Sequence, residues 1–151
     1  MPPSHVAVDF VAWNKQGDLI LLAEAKSRHG AAENWAARLR GNMIAHRALP
    51  RAHYFLIATP ALVYLWNQEG SRAGAPADFA IDAVSVFTPY FRKFNQEPSD
   101  IGPEEFRLLV LAWLTGIARP GGQKVAESAE PWLAELTGSL QNAFVAMNVC
   151  G

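Results

Sequence analysis

Two runs near the start of the chain, HVAVDFVAWN (residues 5 to 14) and LILLAEAKSR (19 to 28), constrain the fold more than any other stretch. Both are rich in aliphatic, aromatic and β-branched residues, and the KQGD between them is a turn signal in which Gly17 supplies positive φ. They predict a β-hairpin. With Gln16 and Gly17 as the two central turn residues, Asp9 lies opposite Glu24, Ala7 opposite Lys26, Val11 opposite Leu22 and Trp13 opposite Ile20. The other face (Val6, Val8, Phe10, Leu21, Ala23 and Ala25) is oily throughout. A sheet that is apolar on both sides has to be covered by helices on both sides.

The rest of the chain can supply those helices. Residues 31 to 49 are rich in helix formers, carry Trp35, Leu39 and Met43 at four-residue spacing and stop before Pro50. HYFLIAT and LVYLW then predict two strands around Pro60 and Ala61, so the first 67 residues run β-β-α-β-β. SRAGAPA (71 to 77) is a loop, after which the period turns helical. Val84, Phe87, Phe91 and Phe94 share a face of a helix that Pro89 should kink or shorten. Phe106, Leu109, Val110, Trp113, Leu114 and Ile117 keep helical spacing without a fault behind Pro103. A last helix, with Pro131 near its start, directs Trp132, Leu136, Leu140, Phe144 and Met147 inward.

These readings give one domain over residues 1 to 151, an α/β core with a mixed sheet over 5 to 67 and a helical C-terminal subregion over 78 to 151 packed on it. Half the residues are apolar and 18% are charged, as in soluble globular proteins. The longest oily run, LLVLAWLTGIA, is too short to span a bilayer and the start lacks a secretory signal, so the chain reads as cytoplasmic, with no membrane partner. Its single cysteine, Cys150, excludes an intrachain disulfide, and His5, His29, His46 and His53 show no ligand spacing. Residues 1 to 67 carry seven Lys/Arg against four Asp/Glu, while residues 68 to 151 carry six against ten. The N-terminal part is therefore the better face for an anionic partner.

Opposed carboxylates at the end of an oily hairpin need an explanation. With Cβ atoms about 5 Å apart, their repulsion is on the order of 3 kcal/mol at an effective dielectric near 20. The ammonium of Lys26, a proton on one carboxyl, or a divalent cation between the two would offset it. Hard oxygen ligands suit Mg²⁺ or Mn²⁺, commonly held by one or two carboxylates together with water and substrate phosphates.

The pattern V-D9, fourteen intervening residues, then E24-A25-K26 resembles the motif of the PD-(D/E)XK nuclease superfamily, and the β-β-α-β order around it resembles that restriction-endonuclease-like core. The resemblance covers residues 5 to 67. It implies a Mg²⁺-dependent (or Mn²⁺-dependent) nuclease that hydrolyses phosphodiester bonds in DNA. Asp9, Glu24 and the Ala25 carbonyl would be metal ligands, and Lys26 would position or activate the attacking water. Val8 stands where the proline of the family name would be. No helix precedes the first strand, so the C-terminal helices fill that place, or a homodimer or partner subunit supplies it.

On the helix after the motif, Asn34, Arg38, Asn42 and His46 form a polar stripe, with Arg28 just before it. The stripe is either a solvated face or a set of donors, Arg28, Arg38 and Asn34, for backbone phosphates. Trp13 and Trp66 fit a core role better than stacking on bases. Two alternatives stay open beside the nuclease: a structural ion pair of Asp9 or Glu24 with Lys26, and a nuclease-like module that binds nucleic acid or a partner protein without cleaving.

Overall fold

The computed structural model describes residues 8–28, 34–47, 49–67, 72, 74–119 and 131–148, with the backbone alone for 131–133. His5, Val6, Ala7, His29 and Cys150 lie outside the described residues, as does the Trp132 side chain.

The first elements follow the expected order: β1 (Phe10–Trp13), β2 (Leu19–Ala25), α1 (Trp35–His46), β3 (Tyr54–Ala58) and β4 (Leu62–Asn67). β1 and β2 are antiparallel, and α1 carries the chain across so that β3 runs parallel to β2. β4 returns antiparallel to β3 through a turn in which Thr59 N donates to the Leu62 carbonyl at 2.8 Å and Leu62 N to Thr59 Oγ1 at 2.9 Å. Two strands were not expected. β5 (Phe79–Asp82) pairs with β4, and β6 (Phe144–Met147) pairs with β1, giving an open, mixed, six-stranded sheet in the order β5-β4-β3-β2-β1-β6.

Both faces of this sheet are covered, as the oily hairpin requires. α1 lies on one, where Ala36 and Met43 meet Val8, Val11, Trp13, Leu22, Phe55, Ile57, Tyr64 and Trp66. The other face carries α2 (Ala83–Lys93), α3 (Pro103–Ala118) and α4 (Pro131–Leu140). All six residues of the predicted stripe on α3 are buried against Phe10, Leu21, Ala23 and Leu56. Phe87 of α2 locks to α3 through edge contacts with Phe106 at 5.8 Å and Trp113 at 5.2 Å. Trp13 and Trp66 are core residues, 7% and 0% exposed.

Several expectations change. α2 runs through Pro89 to Lys93 rather than stopping there, and it buries Ala83, Val86, Phe87 and Phe91, leaving Val84 and Phe94 exposed. Its N-cap Asp82 accepts from Val84 N at 2.9 Å, so strand β5 passes directly into the helix with no loop to signal the change. α4 ends at Leu140 because Asn142 adopts a left-handed conformation (φ 62°), so Phe144 and Met147 belong to a strand and Phe144 is exposed. The C-terminal part is therefore helices plus two edge strands. On α1 the line Ala36, Arg40, Met43 faces the sheet, with Trp35 and Leu39 half-buried beside it.

Arg40 is the unexpected member of that line. It is 1% exposed, its guanidinium lies 5.2 Å from the Trp66 ring centroid and 5.6 Å from that of Phe55, and Nη1 donates to the Arg72 carbonyl at 2.9 Å. Trp66 Nε1 in turn donates to the Ala75 carbonyl at 2.9 Å, so the loop after β4 is fastened to the core at two points. Arg40→Ala should lower unfolding free energy by about 3 kcal/mol in urea titration, through lost stem packing, lost ring contact and an unmatched carbonyl. Arg40→Met, which keeps the stem, should lose less than half of that.

Candidate functional site

The hairpin register brings Asp9 and Glu24 together, by a route that differs from the expected one. The turn is not a two-residue loop. Gly17 N donates to the Asn14 carbonyl and Gly17 takes φ 90°, while Asn14 N donates to Asp18 O and Asn14 Oδ1 accepts from Asp18 N. Lys15 and Gln16 are thus the central pair, followed by a left-handed glycine. That turn places Trp13 opposite Leu19, and a bulge between Ala12 and Trp13 then restores the expected pairs Ala12–Leu21, Val11–Leu22 and Phe10–Ala23. The bulge sends Ile20 to the face that holds Phe10, not to the face of Trp13. Val8, expected on the Phe10 face, packs instead with Val11, because the chain bends at Val8 and Asp9.

Beyond the last ladder pair, backbone–side chain bonds replace the ladder. Asp9 N donates to Glu24 Oε1 at 3.0 Å, and Ala25 N donates to Asp9 Oδ2 at 2.8 Å. Each acid is thus held by the backbone of the other's strand. Asp9's own carbonyl accepts from Asn148 N at 2.8 Å, which ties the same point to the residue after β6.

Three cations surround the two acids. Lys26 Nζ lies 3.3 Å from Glu24 Oε2, on the face that period-two geometry predicts for it. Arg47, the C-cap residue of α1, places Nη1 3.2 Å from the same oxygen. Arg107 of α3 brings Nε to 3.2 Å from Asp9 Oδ1, in an ion pair whose geometry is not that of a hydrogen bond. Glu24 is almost fully enclosed, its side chain 4% exposed, while those of Lys26 and Arg47 are 40% and 38% exposed. Arg107 is deeper and more firmly held: it also pairs with Glu104 at 3.3 Å and donates through Nη2 to the Asn148 carbonyl.

Burial pushes the Asp9 carboxyl above its ordinary value, the Ala25 N–H pulls it back, the Glu24 charge adds to the rise, and Arg107 and Lys26 oppose it. A carboxyl whose pKa is raised on folding binds more protons folded than unfolded. Its contribution to stability is present below the unfolded value of 3.8 and lost as pH rises through the folded value. Without divalent cation, the stability of wild type relative to Asp9→Asn should therefore decline as pH is raised from about 4 toward neutrality, read by denaturant titration at each pH. A flat difference would place Asp9's titration at its unfolded value.

The polar stripe lies on the exposed side of α1, where Asn34, Arg38, Asn42 and His46 are all exposed. Arg28 is exposed as well, with its guanidinium 5.2 Å from the Trp35 ring centroid. Asn34 makes no side-chain cap bond to α1, so its amide is not spent on the helix terminus. Sequence reasoning missed Arg47 and Arg107. Arg47 follows the apolar pattern of α1 without belonging to it, and Arg107 reaches Asp9 only because α3 packs across the hairpin.

Among the described residues, no group of three or more His, Cys, Asp or Glu side chains is placed to hold a metal ion, and no helix is long and apolar enough to cross a membrane. Comparison with protein-family models, with curated proteins and with solved structures finds no match to the chain.

Proposed function

We propose that the chain is a nuclease that hydrolyses phosphodiester bonds in nucleic acid, DNA by its resemblance to the PD-(D/E)XK enzymes, and that it uses Mg²⁺ or Mn²⁺. The observation that carries this reading is the reciprocal pair of bonds from Asp9 N to Glu24 Oε1 and from Ala25 N to Asp9 Oδ2, with Lys26 beside Glu24. Asp9, Glu24 and the Ala25 carbonyl are the ligands of the proposal, and Lys26 is its catalytic amine.

The donor set fits such a cation. Two carboxylates and a carbonyl are hard oxygen ligands, too few for a closed protein cage, and they leave positions for water and a substrate phosphate. A carboxylate oxygen has about two lone-pair directions. Glu24 Oε1 and Asp9 Oδ2 each accept one hydrogen bond of the reciprocal pair, and Asp9 Oδ1 meets Arg107 in an ion pair, so a cation can be accepted without breaking that pair. When bound, the cation acts as a Lewis acid on the phosphodiester and raises the acidity of the attacking water.

The chain's own residues then have separate tasks. Glu24 orients Lys26, whose partly exposed amine can donate to the attacking water or to the charge that develops on the phosphoryl oxygens. Arg107 fixes the Asp9 carboxylate and, with the Ala25 N–H, counters the proton affinity that burial confers on it. Arg28, Arg38 and Asn34 offer donors to backbone phosphates without reading sequence. The order of a β1-β2 hairpin, a helical crossover and a parallel β3, with α3 packed on β2 and β6, supports the same reading.

One observation favours a second reading, a non-catalytic module that binds nucleic acid or a protein. Lys26, Arg47 and Arg107 already compensate the two acids without any divalent cation. Titration of Mg²⁺ and Mn²⁺ into a cleavage assay with DNA and RNA substrates separates the two: metal-dependent cleavage supports the nuclease, and its absence with nucleic-acid binding intact supports the module. In either case Arg28→Ala and Arg38→Ala should weaken binding to unrelated duplexes by similar factors. Together they should lower the slope of log K against log salt by about 2, one contact each. Unchanged binding by the double variant at low salt would return both residues to a solvated face.

A further inference from the structure

β6 forms one edge of the sheet, and among the described residues no strand lies beyond it. The ladder shows which backbone groups face that edge. Asn148 N donates to the Asp9 carbonyl, and hydrogen-bonded pairs recur at every second residue of an antiparallel ladder, so Ala146 bonds Val11 and Phe144 bonds Trp13. The N–H and C=O groups of Val145 and Met147 therefore point away from β1, to the open side. Native edges are usually guarded by charge, proline or a bulge. β5, at the opposite edge, is bracketed by Asp78 and Asp82, whereas no charged residue or proline occurs from Leu136 to Gly151. Phe144 is 63% exposed at this edge, its ring centroid 5.9 Å from that of Trp13.

From this unguarded edge we infer that the chain forms a homodimer in which β6 of two copies pairs antiparallel across a two-fold axis, joining two sheets into one. The pleat decides the register. Val145 and Met147 face the side of α2, α3 and α4, while Phe144 and Ala146 face the side of α1. Antiparallel partners share a face, and a two-fold axis normal to the sheet keeps each face on its own side, so the axis has to fall on a residue. With the axis at Ala146, Val145 of each copy exchanges both backbone bonds with Met147 of the other, and every open group on the two strands is used. An axis at Val145 would call instead on Ala143 N, which already donates to the Leu140 carbonyl, and an axis at Met147 would reach past the end of β6. In the chosen register Ala146 meets itself, Val145 lies against Met147, and Phe144 lies opposite Asn148 with Ala146 of the second copy as its diagonal neighbour. No pair sets like charges together. An unrelated extended peptide could reach the same backbone groups, but the match of small to small and apolar to apolar about a two-fold axis is a property of this strand with itself. The inference is independent of the proposed metal site.

Sedimentation velocity of the whole chain, from micromolar to near-millimolar concentration, should show a reversible monomer–dimer equilibrium, weak because the shared edge is short. Val145→Pro removes an N–H that β1 does not use, so the fold should stay while the dissociation constant rises by about tenfold or more through lost backbone bonds. Cross-linking reads the register. In a Cys150→Ser background, Ala146→Cys sets two thiols across the axis at a Cα separation of about 4.5 Å, within disulfide range, and mild oxidation should yield the covalent dimer. Phe144→Cys replaces a more exposed residue but lies about 14 Å from its own copy, so it should yield little. Wild type that stays monomeric over the whole range overturns the inference, and protection of its Val145 and Met147 amides from hydrogen exchange would then show that another segment of the chain covers the edge. A Val145→Pro variant that keeps its melting temperature and dimerises like wild type overturns it as well. Equal cross-linking of the two cysteine variants means random collision and has the same consequence. If Val145→Pro fails to fold, the cysteine variants decide.

Discussion

Asp9→Ala and Glu24→Ala should each abolish Mg²⁺- or Mn²⁺-dependent cleavage, with at least a hundredfold loss against wild type at equal cation. With either acid gone, the cation keeps a single carboxylate ligand beside three basic side chains, so its hold on the site weakens. The accompanying measurement needs no substrate. At a cation concentration a hundred times the dissociation constant, binding adds about 2.7 kcal/mol to folding stability, so millimolar Mn²⁺ should raise the wild-type melting temperature by several degrees and leave that of Asp9→Ala unmoved. Asp9→Ala also removes the acceptor for Ala25 N and the partner of Arg107 Nε, so its basal stability will fall. The quantity to compare is therefore the Mn²⁺-induced shift within each variant. Wild type that shows no shift and no cleavage would leave the binding module as the reading of this site.

That two acids should meet at the end of this hairpin was legible in the sequence, although the turn proposed for it was not the one that forms. Treating Gln16 and Gly17 as the central pair makes the β1 side of the loop one residue too short. The bulge at Ile20 returns that residue, so Asp9 and Glu24 face one another after all. The cancellation has a physical reason. Val11 and Leu22 must share one buried face and Phe10 and Ala23 the other, so the apolar pattern fixes the register further up the strands and the turn adjusts to it. α3 was equally legible, since six apolar residues at unbroken helical spacing admit little else.

The edge strands were not legible. FAID and FVAM are four residues long and lie largely on the rim of the sheet, so neither carries the alternation that marks a half-buried strand. Spacing places Phe144 and Met147 in phase with Leu136 and Leu140, and only the left-handed Asn142 breaks the helix between them. Arg40 was hidden for a different reason. A single arginine in an amphipathic helix ordinarily faces water, and its burial depends on two aromatic rings and a loop carbonyl that arrive from β3, β4 and beyond. The same holds at the site: Asp9, Glu24 and Lys26 are local to one hairpin, whereas Arg47 and Arg107 come from a helix end and from the far half of the chain.

Arg47 also changes what Lys26→Ala should do. With Lys26 as the sole counter-charge, deleting it would strand a buried carboxylate at a cost of about 3 to 5 kcal/mol. Glu24 keeps Arg47 and the Asp9 N–H, and Lys26 is more than a third exposed, so the single deletion should cost under about 1 kcal/mol. The double variant Lys26→Ala/Arg47→Ala is the one that removes both side-chain cations from Glu24, whose carboxylate is 4% exposed. In EDTA it should lose about 3 to 5 kcal/mol in urea titration, well beyond the sum of the two single variants, because either cation alone suffices and the absence of both does not. Millimolar Mn²⁺ should then return most of that loss, since a divalent cation supplies the positive charge that the two removed side chains gave. A double variant that collapses in EDTA and is not rescued by Mn²⁺ would mean that the carboxylates are held for the ion cluster itself, and the site would be a structural clamp joining β1, β2, α1 and α3.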